Sequence, residues 1–341
     1  MDGNNQGKPE DEKKDKPTPI IAGFWRRMFA FIIDGCILGA VGMAFGTIFY
    51  DFFAELGGLG RVIGFAVAFL YFGILDSSLS NGQTIGKRIL KIQVVNRETQ
   101  TISLFKSFLR FIIIGIPYFF NGALIPPNVL SNPFISLILG VIVFFGSGAI
   151  IYLFIFNRKT RQSLHDLIIG TYVINTKSDE LFTVNPIWKG HLAVVGVLFF
   201  TVVVLITFVM PKFMSKEPFS ELFTVQKNIQ ESGLVHVATV TVGKSSGTNF
   251  SKEGKGTWES AYFATNAVLR HRPSDYDAVA RQIASIIFET YPKIMEKDSV
   301  VINATYGYDI GIASSWKSQR VQHTPKEWKV ILMQSHSEEK I

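Results

Sequence analysis

Apolar residues gather into five long runs before Pro211, and beyond it they alternate with polar ones. The runs 28–50, 61–79, 111–126, 134–156 and 191–210 are long and poor enough in charge to predict membrane-spanning helices. The third is the shortest and runs into Pro126 and Pro127, which suits a span of little tilt or one arm of a hairpin with the fourth. Between the second and third runs, LKIQVV sets Leu90, Ile92 and Val94 against Lys91 and Gln93, the period of a half-buried strand. LFKSFLRF returns to helical spacing and suits the bilayer interface. GTYVIN, after the fourth run, is a second strand and a candidate partner for LKIQVV in one small sheet.

After residue 211 the pattern is α+β. VHVATVTV (235–242) and TWESAYFATNAVLR (257–270) predict strands joined by a loop, KSSGTNFSKEGKG. SDYDAVARQIASIIFETYP predicts a helix capped by Ser274, with Ala278, Ile283, Ile286 and Ile287 on its apolar face and its end before Pro292. SVVINATYGYDIGIASSW (299–316) predicts one long or two short strands, in which Tyr306, Tyr308 and Asp309 read as parts of a packed sheet, and VILM suggests a last strand.

Charge orients the spans. Segment 80–110 holds Lys87, Arg88, Lys91, Arg97, Lys106 and Arg110 against Glu98 alone. Segment 157–190 is also rich in Lys and Arg, whereas 50–60 and 127–133 contain neither residue. Basic connections face the cytoplasm, so the N-terminus lies there too, and five spans carry the part after 210 to the other side. The net charge of +7 therefore suits an anionic inner leaflet, and no nucleic-acid partner is expected. The stretch before Phe24 is polar, lacks a cleavage pattern and reads as a disordered leader, 1–24. The single cysteine, Cys36, excludes an intrachain disulfide and reads as a packing residue in the first span.

Asp34 is the residue richest in chemistry. It stands seven positions after Arg27, on the same helical stripe. A carboxylate inside an apolar helix costs about 2.5–3.5 kcal/mol unless it is partnered or hydrated. Burial disfavours its charge and a nearby cation favours it, so Asp34 is a candidate for exchange among protonated, cation-bound and Arg27-paired states. The structural alternative is a plain ion pair that steadies the helix; Arg26 is the other possible partner. Asp76, followed by Ser77, Ser78 and Ser80, either offers oxygens to a hard cation or caps the turn at the span's exit. Asp166 is a candidate latch onto Arg88 or Arg110. His165 beside it has an ordinary pKa near 6.5, which suits either a pH response or a solvated interfacial position. Lys87 and Arg88 in GQTIGKR do not complete a phosphate-loop motif and read as lipid-headgroup contacts. No HExxH, CxxC or GxSxG pattern is present, so neither an enzyme nor a metal site nor a cofactor is expected.

Four segments in order, FWRRMFAFIIDG, GQTIGKRILKIQVV, ISLFKSFLR and RQSLHDLIIGTYVI, resemble the RDD family of bacterial membrane proteins, named for an arginine and two aspartates. The resemblance covers about 20–176 and assigns Arg27, Asp34 and Asp166 to those letters. It implies transport of small ligands, with some members linked to sodium–proton exchange. The expected architecture is an α-helical integral membrane bundle of about five spans with a small cytoplasmic β element, plus an external α+β domain. Its parts are a leader to 24, the RDD-like bundle over 25–176, a linker and fifth span over 177–210, and the external domain over 211–341. The expected setting is a bacterial cytoplasmic (inner) membrane, and the expected function is cation–proton exchange with Na+ or H+ at Asp34, Arg27, Asp76 and Asp166. The alternative is a scaffold or assembly factor whose external domain binds an envelope protein partner.

Overall fold

The computed structural model describes residues 21–176, 186–251 and 254–338. The first half comprises α1 (Phe24–Ile48), α2 (Tyr50–Leu56), α3 (Gly60–Leu75), α4 (Ile85–Ile89), β1 (Ile92–Val95) and α5 (Leu104–Phe120). After these come α6 (Pro133–Phe156), α7 (Leu164–Ile169), β2 (Tyr172–Asn175) and α8 (Lys189–Met214). The remainder is α9 (Phe219–Glu231), β3 (Val235–Ser251), β4 (Gly254–Leu269), α10 (Tyr276–Thr290), β5 (Ser299–Asp309), β6 (Ser314–His323) and α11 (Pro325–Glu338).

Among the described residues, four helical stretches are long and apolar enough to cross a membrane: α1, Tyr50–Leu75, α6 and α8. The expected third span is α5, a helix of 17 residues that begins at Leu104 rather than 111 because Ser103 accepts a hydrogen bond from the Lys106 N–H and caps it. At 1.5 Å per residue it rises about 25 Å, at the short limit for a crossing. It packs along α3 and against α6. α8 runs past the expected end at 210 through a π-type turn, Leu205–Val209, just before Pro211, whose ring cannot continue the regular bonding.

β1 and β2 form the expected small antiparallel sheet, Val94 opposite Val173. Most of the leader lies outside the described residues, but Ala22 is buried and donates its N–H to the Val173 carbonyl, so the end of the expected leader, 1–24, is part of the fold.

The C-terminal sheet has the order β3-β4-β5-β6, with β4 and β5 parallel and the outer pairs antiparallel. α9, α10 and α11 cover one face around Phe263, Ile283, Ile287, Ile302 and Trp328. Several local expectations need correction. The N-cap of α10 is Asp275, whose side chain accepts from the Asp277 N–H, rather than Ser274. The predicted loop KSSGTNFSKEGKG is largely hairpin, since pairing continues to Ser251 and resumes at Gly254. VILM lies in helix α11, because Thr324 and Glu327 form a reciprocal capping pair that starts a helix there. α9 is an additional helix, burying Leu222, Val225 and Ile229.

The two halves interlock. Ala54 of α2 belongs to the same buried cluster as the C-terminal sheet, and Tyr306 donates to Asp51 at 3.0 Å. The turn between β5 and β6 enters the bundle where α1 and α3 present glycines: a Cβ at Gly64 would strike the Ile310 carbonyl, and one at Gly46 the Tyr308 hydroxyl. Arg61 closes this joint, donating to Asp309 and to the Phe119 and Asn121 carbonyls.

Candidate functional site: a buried charge network

The buried residues of α1 are Arg27, Ala30, Asp34, Leu38, Gly42 and Gly46, one stripe at helical spacing. Arg27 and Asp34 do share it. They do not pair, because seven residues of helix separate them by about 10.5 Å along the axis and each meets a closer partner. Arg27 donates to Asp166 Oδ2 at 2.6 Å and to the Arg161 carbonyl, and its guanidinium lies 5.2 Å from the Phe154 ring centre. Arg26 is also not a partner of Asp34: it is exposed and donates to Asn175.

Asp34 is fully buried and held by neutral donors. Tyr71 donates its hydroxyl proton to Oδ1 at 2.7 Å, the Gly86 N–H donates to Oδ1 at 2.8 Å, and Thr84 donates to Oδ2 at 2.6 Å. Thr84 is also the N-cap of α4, accepting from the Lys87 N–H. Gly86 lets α4 abut α1, since a Cβ there would meet the Ala30 carbonyl. Tyr71, Thr84 and Gly86 were not among the expected site residues. Their signals were a lone hydroxyl inside an apolar span and a Thr placed to cap a helix.

The other two carboxylates are ion-paired. Asp76 binds Lys87 through one oxygen and Arg110 through the other, at 2.7 Å for Arg110. Both its oxygens are thus taken by cations, and Ser77 and Ser80 turn to backbone carbonyls at Ile74 and Gln83, so no oxygen cluster forms around Asp76. Lys87, expected at lipid headgroups, is instead drawn inward by Asp76, with 13% of its side chain exposed. Arg88 is exposed and donates to Ser80. Asp166 takes Arg110 at 3.0 Å and Arg27 as partners, which selects Arg110 of the two expected latches. Thr171 and the Ser163 N–H also donate to it.

These pairs form a line of alternating sign: Lys87, Asp76, Arg110, Asp166, Arg27. Three cations and two anions leave it one positive charge, which Asp34 balances without an ion pair of its own among the described residues. Buried charges persist only when paired and hydrogen-bonded, and removing one partner of such a pair costs about 3–5 kcal/mol.

His165 is buried rather than solvated, since α7 folds back against α5. Arg110 has only donors, so the His165 Nε2 lying 3.0 Å from it accepts, and the ring is neutral with its hydrogen on Nδ1. Burial first, and then the charges of Arg110, Arg27 and Lys87, push its pKa down to about 3 against the pull of Asp166. Burial alone would raise the Asp166 carboxyl; protonated His165, Arg110, Arg27 and the Thr171 hydrogen bond hold it well below the usual carboxylate range.

A cavity of about 390 Å³ opens beside the network. Asp34, Arg27, Lys87, Arg110 and His165 line its polar end; Phe31, Phe72, Ile151 and Phe154 are among its apolar walls. Among the described residues, no group of three His, Cys, Asp or Glu is placed to hold a metal ion.

The sequence profile of the RDD family matches residues 21–170, which contain every member of this network. The chain is also 30% identical over 153 residues to "Uncharacterized protein YckC" of Bacillus subtilis (strain 168), a match spanning 45% of this chain and 83% of that protein. No solved structure matches significantly. The part after residue 170 lies outside the profile. With the arginine and both aspartates at its buried core, this membrane-type chain belongs to the RDD family.

Proposed function

We propose that the chain is a non-enzymatic, transporter-like membrane module in which Asp34 exchanges a proton for a monovalent cation such as Na+. The observation that carries this reading is the isolation of Asp34. It is buried and lines the cavity, yet it is held only by neutral groups, whereas Asp76 and Asp166 are locked by cations. A proton and a Na+ ion neutralise Asp34 equally, so swapping one for the other leaves the charge of the network unchanged. The hydroxyl oxygens of Tyr71 and Thr84 have lone pairs suited to a hard cation. Arg27, committed to Asp166, holds the bundle together rather than competing for Asp34.

The network gathers the N-terminal end of α1, the C-terminal end of α3 and α7, whereas the C-terminal domain docks at the Gly46 and Gly64 end. With the basic connections in the cytoplasm, this supports an extracytoplasmic C-terminal domain on a bacterial inner membrane. The test is ΔpH-driven Na+ or Li+ flux in everted vesicles: Asp34→Asn is expected to abolish it, and unchanged flux removes Asp34 from the role.

A second reading, a scaffold that binds an envelope protein, is favoured by the sheet face opposite the helices. That face carries Asn266, Asn303 and Arg320 in register across three strands, with no helix among the described residues covering them. A photo-crosslinker at Asn303 in the full chain should capture one defined partner; capture of none ends this reading.

A further inference from the structure

The cavity beside the network has a property that ion exchange does not require. A proton or Na+ site needs only a few oxygens, yet this space has a volume in the range of small-molecule sites, roughly 300–1,000 Å³, and mostly apolar walls. Its rim includes Phe31, Ile151 and Ile155, about half exposed on helices long and apolar enough to cross a membrane. Hydrocarbon, not water, is the medium that meets such a rim.

The polar end is short of acceptors. His165 lines the cavity, and its Nδ1 is buried without a hydrogen-bond partner among the described residues. Because Nε2 accepts from Arg110, Nδ1 carries the hydrogen and must donate. A buried donor left unsatisfied costs about 1–3 kcal/mol. Lys87 Nζ has three N–H groups and gives one to Asp76, so it too has donors to spare at the same end. An occupant must therefore bring acceptor oxygens at one end and hydrocarbon at the other. A metal cation cannot satisfy an N–H donor.

We propose that this cavity holds one phospholipid of the surrounding bilayer, with an acyl chain along the apolar walls and phosphate oxygens accepting from His165 Nδ1 and Lys87 Nζ. The phosphate charge is tolerated because three cations, Lys87, Arg110 and Arg27, line this end of the cavity. The site is independent of whether Asp34 exchanges ions.

The full chain, reconstituted in nanodiscs of phosphatidylglycerol and re-extracted into mild detergent, is examined by native mass spectrometry. Wild type should retain one phospholipid per chain. His165→Phe removes the donor, and Ile151→Trp fills the half-exposed rim without touching a charged residue of the network; each should lower occupancy roughly tenfold, about 1.4 kcal/mol. Asp34→Asn, which removes a negative charge from the polar end, should retain the lipid at least as well as wild type does, which separates this site from the exchange reaction. Retention of no phospholipid by wild type overturns the proposal, as does occupancy unchanged in Ile151→Trp or preference for added oleic acid over phospholipid.

Discussion

His165 is buried against Arg110 at the polar end of the cavity. Protonating His165 places a cation against Arg110, so the unfolded chain takes that proton first. Stability carried by neutral His165 is fully present above about pH 6.5 and is lost as pH falls toward about 3. The expected slope reaches about 1.4 kcal/mol per pH unit. It is checked by melting the detergent-solubilised protein between pH 7 and pH 4.5, where His165→Gln should flatten the decline; equal slopes would refute it. The carboxylate of Asp166 adds loss only at lower pH, below its ordinary range near 3.8. That Arg27 and Asp34 share a buried stripe was legible in the sequence, because a spacing of seven on an apolar helix aligns them; the burial of Lys87 and His165 was not. Nor was which of them pair. Asp166 is 139 positions from Arg27 and Thr84 is 50 from Asp34, and such distant choices leave no local periodicity to read.

At the scale of elements, the pattern of short apolar runs identified β1, β2, β4 and β5, although of these only β4 buries alternate residues, over 263–269, whereas β2 buries three in succession. It failed at VILM, where a short apolar run fits strand or helix and the Thr324–Glu327 cap decides. It also stopped β3 too early, since Lys244, Ser245 and Ser246 pair across the hairpin without burying a face. Neither local pattern nor charge announced the slot for the β5–β6 turn. Its walls are glycines, and glycine reads equally as a weak helix former or as a place of close approach. The two cases separate by substitution. Gly35 has nothing within 4 Å of an added Cβ, so Gly35→Ala should stabilise by about 0.5–1 kcal/mol through helix propensity. Gly64→Ala drives a methyl group into the Ile310 backbone and should destabilise by about 1–3 kcal/mol, while making the C-terminal domain easier to proteolyse. Thermal melting and limited trypsin digestion check both, and equal effects of the two substitutions would refute the slot.

Across the whole molecule, the charge network and the C-terminal domain occupy opposite ends of the bundle. The interlock of the two halves through Ala54, Tyr308 and Arg61 was hidden in the sequence, because it joins surfaces that each look ordinary alone. In a Cys36→Ala background, an impermeant maleimide should label Lys317→Cys on intact cells, and Arg97→Cys only after permeabilisation. Labelling of both from one side would refute the orientation. The turn that fills the glycine slot reaches it 248 residues after Arg61, counted from the pair it makes with Asp309. During synthesis the early helices must therefore enter the lipid with a missing piece. The slot stays open until the ribosome has passed Asp309, and a segment made much later completes a structure begun at the start.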